Sequence, residues 1–158
     1  MLMKVFPHGT GEGDKPSRYL VRPDYPGRDT APPQVLRGDP AMTRALVDSI
    51  ERRWKFTSGV LSWHPDDKVS EEQEEEVMDA FEQVAFAGLE ADQRNILWVR
   101  HTHAGHHELH FLIPRLELSS GKDFNACPPG WQKDFDVFRD LFNWREGWAR
   151  PDDPARAR

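Results

Sequence analysis

Residues 95–118 read Asn95-Ile-Leu-Trp-Val-Arg-His101-Thr-His103-Ala-Gly-His106-His107-Glu108-Leu-His110-Phe-Leu-Ile-Pro114-Arg-Leu-Glu-Leu118, and they hold five of the seven histidines in the chain. Ile96 to His103 is rich in β-branched and aromatic residues, Ala104-Gly105 is a turn candidate, and His106 to Ile113 extends again. That order predicts a β-hairpin. A two-residue turn at Ala104-Gly105 sets His103 opposite His106, His101 opposite Glu108 and Val99 opposite His110. Side chains alternate with period two, so His101, His103, His106, Glu108 and His110 fall on one face. Glu108 and His110 flank Leu109 and share a face in any register. The flanks Ile-Leu-Trp-Val and Phe-Leu-Ile are apolar on both faces, which suits central strands better than a solvent-facing, His-rich hairpin.

Imidazole nitrogens and a carboxylate oxygen ligate Mn, Zn, Fe, Co or Ni, and the carboxylate also suits Mg. Three ligands on two paired strands leave coordination positions open for a substrate, as catalytic sites require. The pattern therefore points to metal-assisted chemistry.

The chain has 158 residues, which the length prior assigns to one domain. Residues 1–150 are expected to form that domain and 151–158 a disordered tail. Six Trp and nine Phe supply a core. No apolar run is long enough to span a membrane. The single Cys127 allows no intrachain disulfide, so a reducing, cytoplasmic setting is expected. Net charge is −6, which taken alone disfavours nucleic acid. Its distribution matters more: residues 66–92 contain eleven Asp/Glu against one Lys, which leaves a basic balance elsewhere. The acid run reads as the solvated face of one helix.

Outward from the hairpin, Met1 to Phe6 reads as a strand. A Gly-rich connector then runs to Tyr19, and its glycines lack the spacing of a phosphate-binding loop. Lys15, Arg18, Arg22 and Arg28 lie around Tyr19 in sequence. Cations beside a phenol are what phosphate chemistry requires. Residues 23–36 read as irregular loop. A helix opens with Asp39 as N-cap and Pro40 at its first position, buries Met42, Leu46, Ser49 and Ile50, and finishes with Arg52-Arg53 at its negative end. Thr57 to Trp63 is a strand. Ser70 and Gln73 form a capping box for a helix whose inner face is Val77, Ala80, Phe81, Val84 and Ala85. Beyond the hairpin, Leu116 to Leu118 suggests a short further pairing, and a last helix presents Trp131, Phe135, Phe138, Leu141 and Phe142. The fold class is α+β: an antiparallel sheet with a central metal-binding hairpin, covered by helices.

With the ligand cluster and an upstream tyrosine together, the sequence resembles the HUH superfamily of single-strand DNA endonucleases, and within it the mobilisation relaxases of colicin-type plasmids. Their metal motif is His, then Glu seven residues on, then Asn two further. His101 and Glu108 fit that spacing, and His110 stands at the Asn position. Tyr19 occupies the N-terminal nucleophile position, and the segments at 57–62, 96–99 and 108–114, followed by Glu117-Leu118 and Gly121-Lys122, also match. The resemblance implies that Tyr19 attacks a phosphodiester of single-stranded DNA at a transfer origin, giving a 5′-phosphotyrosine link that can be reversed. It implies a divalent metal, Mn or Mg with other transition metals admitted, on His101, Glu108 and His110. Lys15, Arg18 and Arg22 are the expected DNA contacts. Accessory mobilisation proteins and a coupling protein are the implied further partners. A replication-initiator nuclease of the same superfamily and a non-catalytic metal- or DNA-binding module of the same fold are the alternatives.

Overall fold

A computed structural model describes residues 1–11, 20–22, 27–28 and 31–152. The elements run β1 (Leu2–Val5), β2 (Gln34–Arg37), α1 (Pro40–Asp48), β3 (Phe56–Ser62), α2 (Glu71–Ala85), a 3-10 turn (Ala91–Gln93), β4 (Leu97–His101), β5 (Glu108–Pro114) and α3 (Gln132–Glu146). The five strands form one sheet in the order β1-β3-β5-β4-β2, every pair antiparallel. The α+β expectation holds, and the hairpin strands β4 and β5 lie inside the sheet.

Strand alternation divides the core in two. Leu109, Phe111 and Ile113 of β5 point with Leu61 and Trp98 into the larger cluster, where Val77, Met78, Phe81 and Ala85 of α2 meet Phe135, Phe138 and Phe142 of α3. Each large apolar side chain buried there contributes about 1.5–3 kcal/mol. Leu97, Val99 and Leu112, with Phe56, form the opposite face and pack against Val47 of α1 and Leu20. His101 and His110 are on this second face, because they alternate in step with Val99 and Leu112. The sheet thus has two helices behind it and one short helix in front. The region beyond α1 on that front face is where the histidines emerge.

Local sequence accounts for the element ends. Ser70 Oγ accepts from the Gln73 amide at 3.1 Å while Gln73 Oε1 accepts from the Ser70 amide at 2.8 Å, the reciprocal box expected for α2. Asp39 accepts from the Ala41 amide at 3.0 Å and Pro40 occupies the first turn of α1. Gly59 sits where β1, β3 and β5 crowd together. A Cβ there would overlap the Lys4 carbonyl oxygen and lie 2.5 Å from Phe111 Cζ.

Four expectations are corrected. Gln34–Arg37 is an edge strand, not loop, and it is pinned to α2 by Arg37, which bonds Glu75 at 2.7 Å, Asp79 at 2.7 Å and Glu82 at 2.5 Å. α1 ends at Asp48, so Arg52 and Arg53 lie in the following loop. It buries Thr43 and Val47 and leaves Met42 53% exposed, because the Thr43 hydroxyl bonds Asn95 Oδ1 at 2.6 Å and turns that face inward. Leu116 to Leu118 forms no strand; Glu117 instead closes a turn by accepting from Ser119 and Ser120. Among the described residues no helix is long and apolar enough to cross a membrane. Asp152 is the last residue described before 153–158, which lie outside the described set.

Candidate functional site

The hairpin register is the one the sequence dictates. His101 pairs with Glu108 and Val99 with His110, while residues 102–107 form the turn, with Gly105 at φ +83° in the left-handed region that glycine tolerates. His101 closes β4, Glu108 opens β5, and His110 follows one alternation later, so three candidate ligand side chains converge from two adjacent strands. Their ligand atoms all lie within 4.8 Å of one another. The His101 and His110 rings are 4.2 Å apart between centroids.

Hydrogen bonds fix the protonation pattern. His101 Nε2 lies 2.7 Å from the Leu20 carbonyl oxygen, an acceptor, so that nitrogen carries the proton and Nδ1 keeps its lone pair. Burial, then the charge of His110, lowers the His101 pKa to about 4 despite the opposing bond to Leu20. The imidazole is neutral at physiological pH. Glu108 uses both oxygens: Oε1 bonds His110 Nε2 at 3.1 Å and Oε2 bonds His106 Nε2 at 2.9 Å. Burial raises its pKa, but the hydrogen bonds and charges of His110 and His106 outweigh that and hold it at about 2. Glu108 is therefore ionised. His110 Nδ1 is buried with no hydrogen-bond partner among the described residues, an orphaned nitrogen of the kind a metal ion satisfies. Two imidazoles and one carboxylate, with a buried nitrogen awaiting a partner, fit a divalent cation.

Other histidines divide between two roles. The His103 ring lies 5.2 Å from that of His101, tilted by 58°, and burial, followed by the charge of the fully buried Arg28, lowers its pKa. His106 is a carboxylate partner rather than a third imidazole in the cluster. His107 faces away: its Nε2 bonds Glu74 Oε2 at 2.7 Å, and Arg100 Nε bonds the same oxygen at 2.7 Å. Glu74 is almost completely buried. It was legible as an inward position, three residues before Val77 and seven before Phe81, although its acid character suggested the outer face.

Tyr19, Lys15 and Arg18 lie outside the described residues, as does Tyr25. Leu20, which follows Tyr19 in sequence, is described and bonds the cluster through His101. Arg22 is exposed and its carbonyl accepts from Arg28 Nη1 at 3.0 Å.

Comparison with known proteins bears on the same residues. A family model described as the relaxase MobA/VirD2-like nuclease domain matches residues 40–143. That segment contains His101, Glu108 and His110 and begins after Tyr19. The chain is 40% identical over 159 residues to cryptic plasmid protein C of Neisseria gonorrhoeae, an alignment covering 99% of this chain and 75% of that protein. It is 35% identical over 159 residues to the DNA relaxase MbeA of Escherichia coli, covering 100% of this chain but 30% of that one.

Proposed function

The chain belongs to the MobA/VirD2-like relaxase family, matching its nuclease domain, and from that premise we propose that it nicks one strand of a plasmid transfer origin through a covalent 5′-phosphotyrosine intermediate on Tyr19. A relaxase nuclease domain is a DNA-nicking enzyme that acts on single strands. Its individual steps follow from the residues.

His101, Glu108 and His110 would hold a divalent ion, Mn or Mg. When bound, such an ion polarises the scissile phosphate and offsets charge in the transition state, a contribution of several kcal/mol. The chain's own part is to keep His101 neutral by burial, keep Glu108 ionised by its two histidine partners, and fix both rings by hydrogen bonds. The Tyr19 hydroxyl attacks phosphorus, the 3′-oxygen of the neighbouring nucleotide leaves with a proton, and the 5′-phosphate stays on the phenolic oxygen. The reverse attack by the 3′-hydroxyl recloses the strand, since a phenolate is a good leaving group. Lys15, Arg18 and Arg22 supply charge for the strand near the nucleophile.

The observation that carries this reading is the bond from His101 to the Leu20 carbonyl. It holds the residue that follows the proposed nucleophile in sequence, Leu20, at the ligand cluster. Accessory mobilisation proteins, a coupling protein and action in the cytoplasm belong to the same proposal.

The test is incubation with labelled single-stranded DNA of its own replicon, with Mn, with Mg and with chelator, followed by a denaturing gel. A metal-dependent protein–DNA adduct is expected. A folded, metal-binding protein that forms no adduct with that DNA would sink the nicking proposal.

A further inference from the structure

At the end of the sheet away from the metal cluster, the loop between α1 and β3 carries Arg52-Arg53-Trp54-Lys55. Phe56 pairs with Pro114 and Ser62 with Glu108, so six residues separate this end from the ligand cluster, roughly 20 Å of strand. Trp54 is 42% exposed, whereas Trp63 is fully buried in the core. The Arg53 guanidinium lies over the Trp54 ring at 5.5 Å from its centroid. Arg53 and Lys55 have no ion pair among the described residues, and Glu51 is the acid adjacent to them in sequence. Arg52 is tied down instead, donating to the carbonyls of Arg115 and Gly121 and lying 3.9 Å from Asp123. That acid also pairs with Arg115 at 2.9 Å.

Behind Trp54 opens a cavity of about 300 Å³, walled by Phe6, His8, Arg115, Asn125 and Trp131 as well. That volume is at the lower end of the range for small-ligand sites, the scale of a single heterocycle. Two indoles and the phenyl rings of Phe6 and Phe56 make it aromatic. One polar group is oriented by its other bonds: Asn125 Oδ1 accepts from the Cys127 amide at 3.1 Å and from the Thr57 hydroxyl at 3.1 Å. An amide N–H can only donate, so the accepting atom is the oxygen and the Nδ2 hydrogens are the ones left over. Asn125 Nδ2 has no hydrogen-bond partner among the described residues. An exposed aromatic ring beside uncompensated cations, next to a cavity sized for one ring and holding an amide donor, is the combination that captures a base and its phosphates together.

We infer that this cavity takes one unpaired nucleobase of the single strand, stacked on Trp54, with the adjoining phosphates on Arg53 and Lys55. The inference rests on the single-strand nicking proposed above and extends it: the strand is gripped several nucleotides away from the bond that reacts. Asn125 Nδ2 favours a base with a carbonyl acceptor, so thymine is the natural probe. Duplex DNA, whose bases are stacked and paired, does not enter.

The experiment measures binding of fluorescein-labelled oligothymidylate, an abasic strand of equal length and a duplex by anisotropy across salt. Wild-type protein should prefer oligothymidylate to the abasic strand and to duplex. Trp54→Ala should weaken oligothymidylate binding about fivefold to a hundredfold, the range of one base–aromatic stack, and erase the preference over the abasic strand. Trp54→Phe, which keeps a ring, should restore most of it, separating stacking from folding. Arg53→Gln with Lys55→Gln should weaken both single strands alike and flatten the salt dependence by about 0.7 for each phosphate no longer neutralised. A folded Trp54→Ala variant that binds oligothymidylate like the wild type overturns the inference. The Tyr19 adduct assay is independent of this readout. Unchanged DNA binding in Trp54→Ala together with normal adducts removes the base site and leaves nicking. Trp54-dependent binding with no adduct leaves the base site and removes nicking by Tyr19.

Discussion

His101 Nε2 lies 2.7 Å from the carbonyl oxygen of Leu20, a contact between residues 81 positions apart in the chain. It joins the last residue of β4 to the residue that follows Tyr19 in sequence, and it leaves Nδ1 as the His101 nitrogen open to a metal ion. On the proposed assignment, one hydrogen bond would serve ligand and nucleophile alike.

Tyr19→Phe removes the proposed nucleophilic oxygen and nothing from the proposed ligand set. Covalent DNA attachment should disappear while metal binding, followed by calorimetric titration, stays within about twofold of the wild type. Retained attachment would transfer the nucleophile to Tyr25 or elsewhere.

Glu108 holds its two oxygens against His110 and His106, and these bonds rank the expected losses. His106→Ala leaves the carboxylate charged and held by His110 alone, and metal affinity should fall about 10–100-fold, as for other partners that orient a ligand. His101→Ala and Glu108→Ala each delete a proposed ligand and should cost more than that. A Glu108→Ala protein with wild-type metal affinity would strike Glu108 from the site.

His110→Asn exchanges a nitrogen donor for an amide oxygen. The fold should persist, and selectivity should move toward harder ions, narrowing the advantage of Mn over Mg. Parallel titrations with both ions read this directly, and an unchanged ratio of affinities would show that His110 does not ligate.

Glu74 is buried, and burial raises its pKa. The hydrogen bonds and charges of Arg100 and His107 outweigh that and hold the carboxylate below its ordinary 4.5. The unfolded chain therefore binds the proton more readily, so this contribution to stability is fully present above about pH 4.5 and fades as pH falls through the folded-state pKa. Glu74→Gln should lower neutral-pH stability by on the order of 3 kcal/mol, because Arg100 is left without its counter-charge. It should also flatten the acid limb of the stability curve. Denaturant melts between pH 3 and pH 7 that keep the wild-type slope would contradict the assignment.

The hairpin was legible because period-two alternation and a two-residue turn at Ala104-Gly105 set His101 opposite Glu108, the pairing that the sheet shows. β2 was not legible: four residues at a sheet edge, following a proline-rich stretch, carry too little alternation to stand out, and Arg37 reveals its place only through partners on α2. α1 misled for a different reason. In nine residues both the Met42/Leu46 stripe and the Thr43/Val47 stripe satisfy helical spacing, and a hydroxyl bond to Asn95 decides between them. Trp54 reads as core by residue type alone. Its exposure depends on where the chain leaves α1, which no local pattern records.

The acidic helix α2 packs on the opposite side of the sheet from His101 and His110. Packed layers stand about 10 Å apart, while charges in physiological salt are screened over about 8 Å. A polyanion lying on the histidine side is thus largely shielded from the carboxylates behind the sheet, and the overall charge of −6 is a poor guide to what that side attracts. The carboxylates on the outer face of α2 instead disfavour a strand that lies along that helix.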